Sequence, residues 1–229
     1  MIADDTLRIL DLDREQLSLS AIEAALRDCD LVDDVHCLQL DEAVPQIGVV
    51  VVPSAKGWAL ADAQGRHACT QTLADLLNAH SDVGVPVQHW RLIWALPQSE
   101  PRKNSVAAAR ALFDPRRPYA RLLDRQGDCL TFAVEIDPAS PYFEGHFDRA
   151  AVLAGVVQVE WAVRFGREVF GIGDDFRSME ALKFQKVVRP GDAVKMMLDW
   201  NGERATLTFG FSSQAGRHSS GRIVFGVAA

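Results

Sequence analysis

The chain has 229 residues, 48% of them hydrophobic, and a formal net charge of −7 at pH 7. This length suffices for one large or two ordinary domains, and the composition is typical of a soluble protein with a substantial core. An acidic chain is a poor partner for nucleic acid, and no run of eighteen apolar residues predicts a membrane span. Since no charged and then apolar leader follows Met1, we expect a cytoplasmic protein without a membrane or nucleic-acid partner.

The cysteines and histidines give no metal-binding pattern. The four cysteines form no CxxC pair, which predicts reduced thiols used in packing: Cys29, Cys37, Cys69 and Cys129. Five histidines lack ligand spacing and receive no role: His36, His67, His80, His89 and His218. We therefore predict neither a metal site nor a disulfide.

The first 114 residues alternate between short strand and helix patterns. Residues 1–17 predict a short strand or hairpin, and Ser20 is expected to cap a helix with Glu23 as the partner in a capping box. Further strands are predicted at Val35–Leu40, Ile47–Val52 and Val87–Trp94, with Trp58–Ala61 extending the same sheet. Helices are predicted at Thr70–Ala79 and Ser105–Phe113. Such an alternation is typical of a small α/β domain.

A proline-flanked charged segment at residues 115–118, PRRP, predicts a stiff linker to a second domain at residues 119–229. In that domain about five antiparallel strands are expected, at Cys129–Ile136, Met179–Val187, Ala193–Trp200, Ala205–Ser213 and Arg217–Val227. One long apolar helix lies between the first and second of these.

The central stretch, PYFEGHFDRAAVLAGVVQVEWAVRFG, places a polar loop with His146 before that helix, which opens at Gly155. Glu160 follows five residues into a helix with little polar surface, so it is expected to be buried. Burying a lone carboxylate costs several kcal/mol, and Glu160 must therefore pair with another group or be kept protonated as a proton donor.

These three residues suit one reaction. Five helical residues rise about 7.5 Å, which leaves room for a small acyl group beside the N-terminus of the helix. There the first backbone N–H groups, that of Gly155 or its neighbours, can hold a carbonyl oxygen. With His146 as base and Glu160 as acid, the set suits removal of a proton alpha to a thioester and protonation of a beta-hydroxyl.

The spacing also resembles a known family. Gly-His-Phe, a Gly-Val pair nine positions after the histidine and a Glu fourteen after it resemble the hotdog-fold 3-hydroxyacyl-[acyl-carrier-protein] dehydratases. Val156, Val157, Gln158 and Trp161 are similar to the type found in aryl-polyene pigment clusters, and EALKFQKVVRPGD resembles the strand and turn after the family's helix.

This resemblance implies a base at His146, an acid at Glu160 and an oxyanion donor at Gly155. It also implies a homodimer in which one site takes side chains from both protomers. The substrate would be carried by an acyl carrier protein on phosphopantetheine, with no other cofactor. Fatty acid or aryl-polyene-like biosynthesis is the implied setting.

The first half resembles a different family. LSLSAIEAALRDCDLVDDVHCLQL, IGVVVV and WRLIWALPQSEPRKNSVAAARALF resemble the small C-terminal lid of adenylate-forming acyl-CoA and aryl ligases. Lys103 falls on the position of that family's lysine, but Arg102 replaces the usual glycine and the large nucleotide-binding domain is absent. Lys103 is therefore at most a vestigial candidate, and a separate adenylating or ketosynthase subunit is a further candidate partner.

The expected fold class is α+β, a hotdog domain preceded by a small α/β lid-like domain. Two alternatives to a dehydratase stay open. Glu160 or Asp148 would activate water in a hotdog thioesterase. A non-catalytic carrier-binding scaffold is favoured by the loss of family prolines at Asp148, Ala151 and Ala154, which should loosen the loop. Basic residues near the motif would suit an acidic carrier protein: Arg149, Arg164, Arg167, Lys183, Lys186 and Arg189.

Overall fold

The computed structural model describes residues 9–12, 15–40, 46–79, 87–95, 109–144 and 151–226. The chain divides into two units, Met1–Asp114 and Pro115–Ala229. Within the described ranges, no helix combines the length and the apolar character needed to cross a membrane.

The first unit is a small α/β arrangement. A hairpin of β1 (Ile9–Leu12) and β2 (Glu15–Ser18) precedes a three-stranded sheet of β3 (Val32–Gln39), β4 (Ile47–Pro53) and β5 (His89–Leu92). Strand β4 is central, antiparallel to β3 and parallel to β5. The helices are α1 (Leu19–Arg27), α2 (Ala55–Gln64) and α3 (Arg66–Ala79), and residues 109–111 are also helical. The apolar run of β4 forms the centre of the core, with Val49, Val50 and Val51 fully buried.

The prediction that Trp58–Ala61 extends the sheet is wrong, because these residues belong to α2. Ser54 caps this helix, and its hydroxyl accepts a hydrogen bond from the Gly57 N–H at 3.2 Å. A serine cap before an alanine-containing run is a helix start, and it outweighs the strand preference of one tryptophan.

The predicted capping box at Ser20 and Glu23 is also wrong. Helix α1 begins at Leu19, and a Glu23 carboxylate oxygen accepts the Cys37 N–H at 2.8 Å and lies 3.3 Å from His36 Nδ1. Partial burial raises the pKa of Glu23, but the hydrogen bonds from His36 and Cys37 and the charges of His36 and Arg27 together hold it below its usual value. Glu23 therefore joins α1 to β3 instead of closing the helix on itself.

The second unit has the predicted hotdog architecture, with six antiparallel strands instead of about five. They are β6 (Tyr119–Gln126), β7 (Cys129–Glu135), β8 (Phe176–Phe184), β9 (Ala193–Asn201), β10 (Thr206–Ser213) and β11 (Gly216–Phe225), in the order β6-β7-β9-β10-β11-β8. The additional strand is β6. Its pairing with β7 shifts register between Leu122 and Asp124, and this irregularity breaks the alternation by which strands are recognised in a sequence.

Helix α4 (Gly155–Phe170) packs against this sheet. Phe165 is fully buried and meets Phe132 of β7 edge to face, with ring centroids 5.6 Å apart. Gly166 brings the helix close to β10, since a Cβ there would lie 2.6 Å from Leu207 Cδ2. The helix ends at Gly171, whose φ of 65° favours glycine.

Two residues of the predicted linker contact α4. The Arg117 guanidinium donates to both carboxylate oxygens of Glu168, at 2.9 and 3.2 Å, and lies 4.7 Å from the Phe165 ring centroid. The Arg116 carbonyl accepts the Trp161 indole N–H at 3.1 Å. The start of the second unit is thus attached to its helix by one bidentate ion pair and one hydrogen bond.

We predict that Arg117→Ala lowers the free energy of unfolding of the second unit by about 2 kcal/mol, because Glu168 loses a partly buried partner and Phe165 loses a cation–π contact. Thermal unfolding together with hydrogen exchange of α4 measures this change. Arg125→Ala is the control, since Arg125 is exposed and its guanidinium donates to the Gly127 carbonyl of its own turn. Equal stabilities of the two variants would contradict the prediction.

Candidate active site

The predicted base lies outside the described residues. His146 falls in 145–150, together with Asp148 and Arg149, and Lys103 falls in 96–108. The structure describes the chain on both sides of the His146 loop. A 3₁₀ turn at Pro141–Phe143 precedes it, and the segment from residue 151 leads into α4. The described part of the site is therefore built from this turn, the start of α4 and the neighbouring end of β8.

Glu160 is exposed, so the expectation that it is buried is wrong. Helix α4 buries Val157 and Trp161, whereas Val156, one turn before Glu160, is 73% exposed. Residues four apart share a helix face, and Val156 and Glu160 thus mark an accessible face that the apolar sequence concealed. The carboxylate does not require a buried partner and is available to a ligand.

Tyr142 is the partner of Glu160, and sequence reasoning missed it. Its hydroxyl donates to a Glu160 carboxylate oxygen at 2.6 Å, and its ring meets Trp161 edge to face at 6.1 Å between centroids. Trp161 is 2% exposed, as expected for a core residue. The signal in the sequence was a phenol four residues before His146 in PYFEGHF. Tyr142 therefore holds the predicted acid from the 3₁₀ turn that precedes the His146 loop.

Gly155 is the first residue of α4, after Ala154, whose side chain makes no capping hydrogen bond. The first N–H groups of a helix have no partner within it and point outward. A Cβ at Gly155 would lie 2.4 Å from the ring of Phe184, the last residue of β8. A side chain at this position would therefore have to displace the Phe184 ring from the helix N-terminus.

A buried amide holds the entry to α4 against the sheet. Gln158 is 3% exposed; its amide oxygen accepts from the Ser219 hydroxyl at 2.6 Å, and its nitrogen donates to the Leu153 carbonyl at 3.4 Å. The Leu153 N–H donates to the Val188 carbonyl at 2.8 Å. These bonds join the segment before Gly155 to β11 and to the turn that follows β8.

Strand β8 is an edge strand with large apolar side chains in solvent, which we call the β8 apolar face. Its members are between 36% and 54% exposed: Phe176, Met179, Leu182 and Phe184 of the strand, and Val187 of the turn that follows it. Edge strands offer unpaired backbone groups, and a contiguous exposed apolar patch marks an interaction surface. The face includes the ring that covers Gly155.

The basic residues proposed for a carrier protein separate into two groups. Arg164 lies 3.8 Å from Glu168, and Arg167 lies 3.2 Å from Asp174, so both have acidic neighbours. Lys183, Lys186 and Arg189 are exposed on β8 and the turn after it. Among the described residues, no three histidine, cysteine or acidic side chains come together as a metal site would require.

We predict that Gly155→Ala destabilises the second unit, because its methyl group collides with the Phe184 ring. Phe184→Ala in the same chain should recover most of the loss, since a smaller side chain frees the space. Gly173→Ala is the matched control, because nothing lies within 4 Å of a Cβ at Gly173. Thermal unfolding of the four variants measures the coupling, and a Gly155→Ala loss that Phe184→Ala leaves unchanged would contradict the assignment.

Residues 123–222 match the family model described as ApeI-like, ApeI dehydratase. A curated relative, the 3-hydroxyacyl-[acyl-carrier-protein] dehydratase FabZ of Oleidesulfovibrio alaskensis, is 30% identical over 96 residues, which cover 36% of this chain and 62% of the relative. The chain thus spans less than two thirds of the length of that relative.

Two solved structures are also similar. The dehydratase heterocomplex ApeI:P from Xenorhabdus doucetiae has 26% identity and a TM-score of 0.44, covering 47% of this chain and 96% of that chain. An uncharacterized protein from Erwinia carotovora subsp. atroseptica has 27% identity and a TM-score of 0.41, covering 47% and 95%. The family match lies within the second unit, so the C-terminal region of this chain is similar to the ApeI-like dehydratases.

Proposed function

We propose that the second unit dehydrates a 3-hydroxyacyl thioester on an acyl carrier protein to the trans-2-enoyl thioester, in fatty acid or aryl-polyene-like biosynthesis. The observation that carries this proposal is the accessible Glu160 carboxylate, held by Tyr142 at 2.6 Å on the helix that starts at Gly155. The ApeI-like match of residues 123–222 supports the same reaction class. No cofactor is required beyond the phosphopantetheine that carries the substrate.

In the proposed reaction, His146 removes the proton from the carbon next to the thioester carbonyl. The electron pair of that C–H bond forms the carbon–carbon double bond, and the bond from the beta carbon to its hydroxyl breaks. Glu160 gives a proton to the departing oxygen, and water leaves. A proton returns from His146 to Glu160 through solvent. The Gly155 N–H, or that of a neighbour in the first turn, holds the carbonyl oxygen as its negative charge grows.

Tyr142 has a positioning role in this scheme. Its hydroxyl limits the rotation of the Glu160 carboxyl, and its ring packs on the buried Trp161. A group oriented in advance loses less freedom in the transition state, so its loss should reduce the rate more than substrate binding.

A homodimer fits the described surface. Strand β8 pairs with β11 on one side, and its apolar side chains are solvent-exposed in the single chain. A second copy pairing through this strand would cover the β8 apolar face. The family resemblance implies that each site would then take side chains from both chains.

For the first unit we propose a ligase-lid-like docking module, with Lys103 as its vestigial candidate residue. A separate adenylating or ketosynthase subunit is the class of partner that such a module suits.

We propose a cytoplasmic location, where carrier-bound acyl chains are made. The acidic carrier protein would approach the exposed Lys183, Lys186 and Arg189.

The activity is tested with purified protein and 3-hydroxyacyl carrier protein of several chain lengths. We predict a trans-2-enoyl product, a loss of at least about a hundredfold in kcat for His146→Ala and Glu160→Gln, and a loss of about tenfold for Tyr142→Phe with little change in KM. Glu203→Gln is the control, an exposed acid in the turn between β9 and β10.

Other outcomes decide between the alternatives. Release of free thiol from the thioester, without an enoyl product, would replace the proposal with hydrolysis. Binding of carrier protein that survives Glu160→Gln, without turnover of any chain length, would replace it with a non-catalytic scaffold.

The association of chains is tested by light scattering. We predict that Met179→Glu shifts the protein toward monomers, because it places a charge in the β8 apolar face. Leu123→Glu is the matched control, since Leu123 is 44% exposed on β6, the opposite edge of the sheet. A wild-type monomer at micromolar concentration would contradict the dimer.

A further inference from the structure

A pocket of about 340 Å³ lies between the turn after β8 and the β10–β11 hairpin. Its lining includes Lys186, Arg189, Asp192, Ser213 and His218. None of these residues takes part in the proton transfers described above. The volume is in the range of pockets that hold small ligands or parts of larger ones.

The walls of this pocket are fixed by a hydrogen-bond network around a buried histidine. His218 is 3% exposed, its Nδ1 lies 3.1 Å from the Val187 carbonyl and its Nε2 lies 2.8 Å from the Ser213 hydroxyl. A carbonyl only accepts, so Nδ1 carries the proton. The Gln185 N–H donates to the His218 carbonyl at 2.8 Å, and the Lys186 ammonium donates to the Ala215 carbonyl. Both walls are therefore held in place before any ligand arrives.

The pocket has an excess of positive charge. Lys186 and Arg189 are exposed basic residues of the lining, against the single acid Asp192. Asp192 already accepts the backbone N–H of Arg189 at 2.8 Å. In the described part of the chain, no ion pair joins the Arg189 guanidinium to an acid. A guanidinium beside a lysine ammonium is a pair of donors that proteins use for phosphate groups.

The pocket is connected to the candidate active site through one residue. Val188 lies between two lining residues, Val187 and Arg189, and its carbonyl accepts the Leu153 N–H at 2.8 Å. Leu153 precedes Gly155 by two residues. The turn that forms the pocket is thus hydrogen-bonded to the segment that enters α4.

From this geometry we infer that the pocket binds the phosphate ester of the pantetheine arm that carries the acyl group. The inference rests on the proposed function, because it assumes an acyl thioester at Gly155 and Glu160. Arg189 and Lys186 contact the phosphate oxygens, and the Ser213 hydroxyl and the His218 ring form the floor. The same chemistry is present in carrier-bound phosphopantetheine and in coenzyme A, so both are substrates for the test.

The test compares free 4′-phosphopantetheine with pantetheine by isothermal titration. We expect the phosphorylated compound to bind roughly tenfold more tightly, as one or two charge-assisted hydrogen bonds provide. Arg189→Gln and Lys186→Gln should remove this difference in affinity. Arg189→Lys should keep part of it, because lysine retains the positive charge. Arg204→Gln is the matched control, since Arg204 lies at the turn between β9 and β10, at the opposite end of β10.

The second arm measures turnover of 3-hydroxyacyl pantetheine, 3-hydroxyacyl coenzyme A and 3-hydroxyacyl carrier protein. A KM increase in Arg189→Gln for both phosphorylated substrates, with none for the pantetheine thioester, supports the inference. An increase restricted to the carrier protein, with equal binding of the two free compounds, would overturn it in favour of a protein-docking contact. Failure to dehydrate any substrate, with the phosphate preference intact, would overturn the proposed function and leave the pocket assignment standing.

Discussion

Helix α4 is fixed in rotation by the residues that it buries against the six-stranded sheet. Phe165 lies edge to face with Phe132, and Gly166 allows Leu207 to approach the helix backbone. With that stripe inward, Val156 and Glu160 must point away from the sheet. The accessibility of the predicted acid is thus a direct result of core packing on the opposite side of the same helix.

Hydrogen bonds also fix the N-terminal part of this helix. Gln158 satisfies both its amide groups inside the protein, and Leu153 is bonded to the turn after β8. An unpaired buried amide would cost free energy, so these bonds restrict the helix to one register relative to β11. Gly155 consequently begins α4 at a defined place, directly beneath Phe184.

Hydrophobic alternation predicted most strands of the second unit, and the resemblance of its central motif to a known family supplied the hotdog fold. Strand β6 was missed because a register shift near Leu122 breaks its alternation, and α2 was missed because its signal is the Ser54 cap and not a periodic apolar face. Glu160 was expected to be buried because its neighbours are apolar. A single sequence does not show whether an apolar residue is buried in the core or exposed to solvent, as Val156 is.

The motif spacing supplied the candidate residues of the site, and their roles stay predictions. It could not supply Tyr142, because a hydrogen bond between residues eighteen apart depends on how the 3₁₀ turn meets the helix. The pocket around His218 was also beyond the sequence, since its residues come from a turn and a hairpin that meet only in the fold. Local sequence patterns predict which face of a helix or strand is buried, whereas these contacts depend on how helices, strands and turns pack against one another.

The ring of Phe184 covers the N-terminus of α4, and the same residue lies on the exposed edge strand β8. If a second chain pairs along β8, the ring that covers the helix N-terminus is also a ring that the neighbouring subunit must accommodate. Ligand binding at the helix N-terminus and subunit association would then be linked, and each would change the equilibrium constant of the other by an equal factor. Apparent affinity for an acyl chain would in that case vary with the concentration of the protein itself.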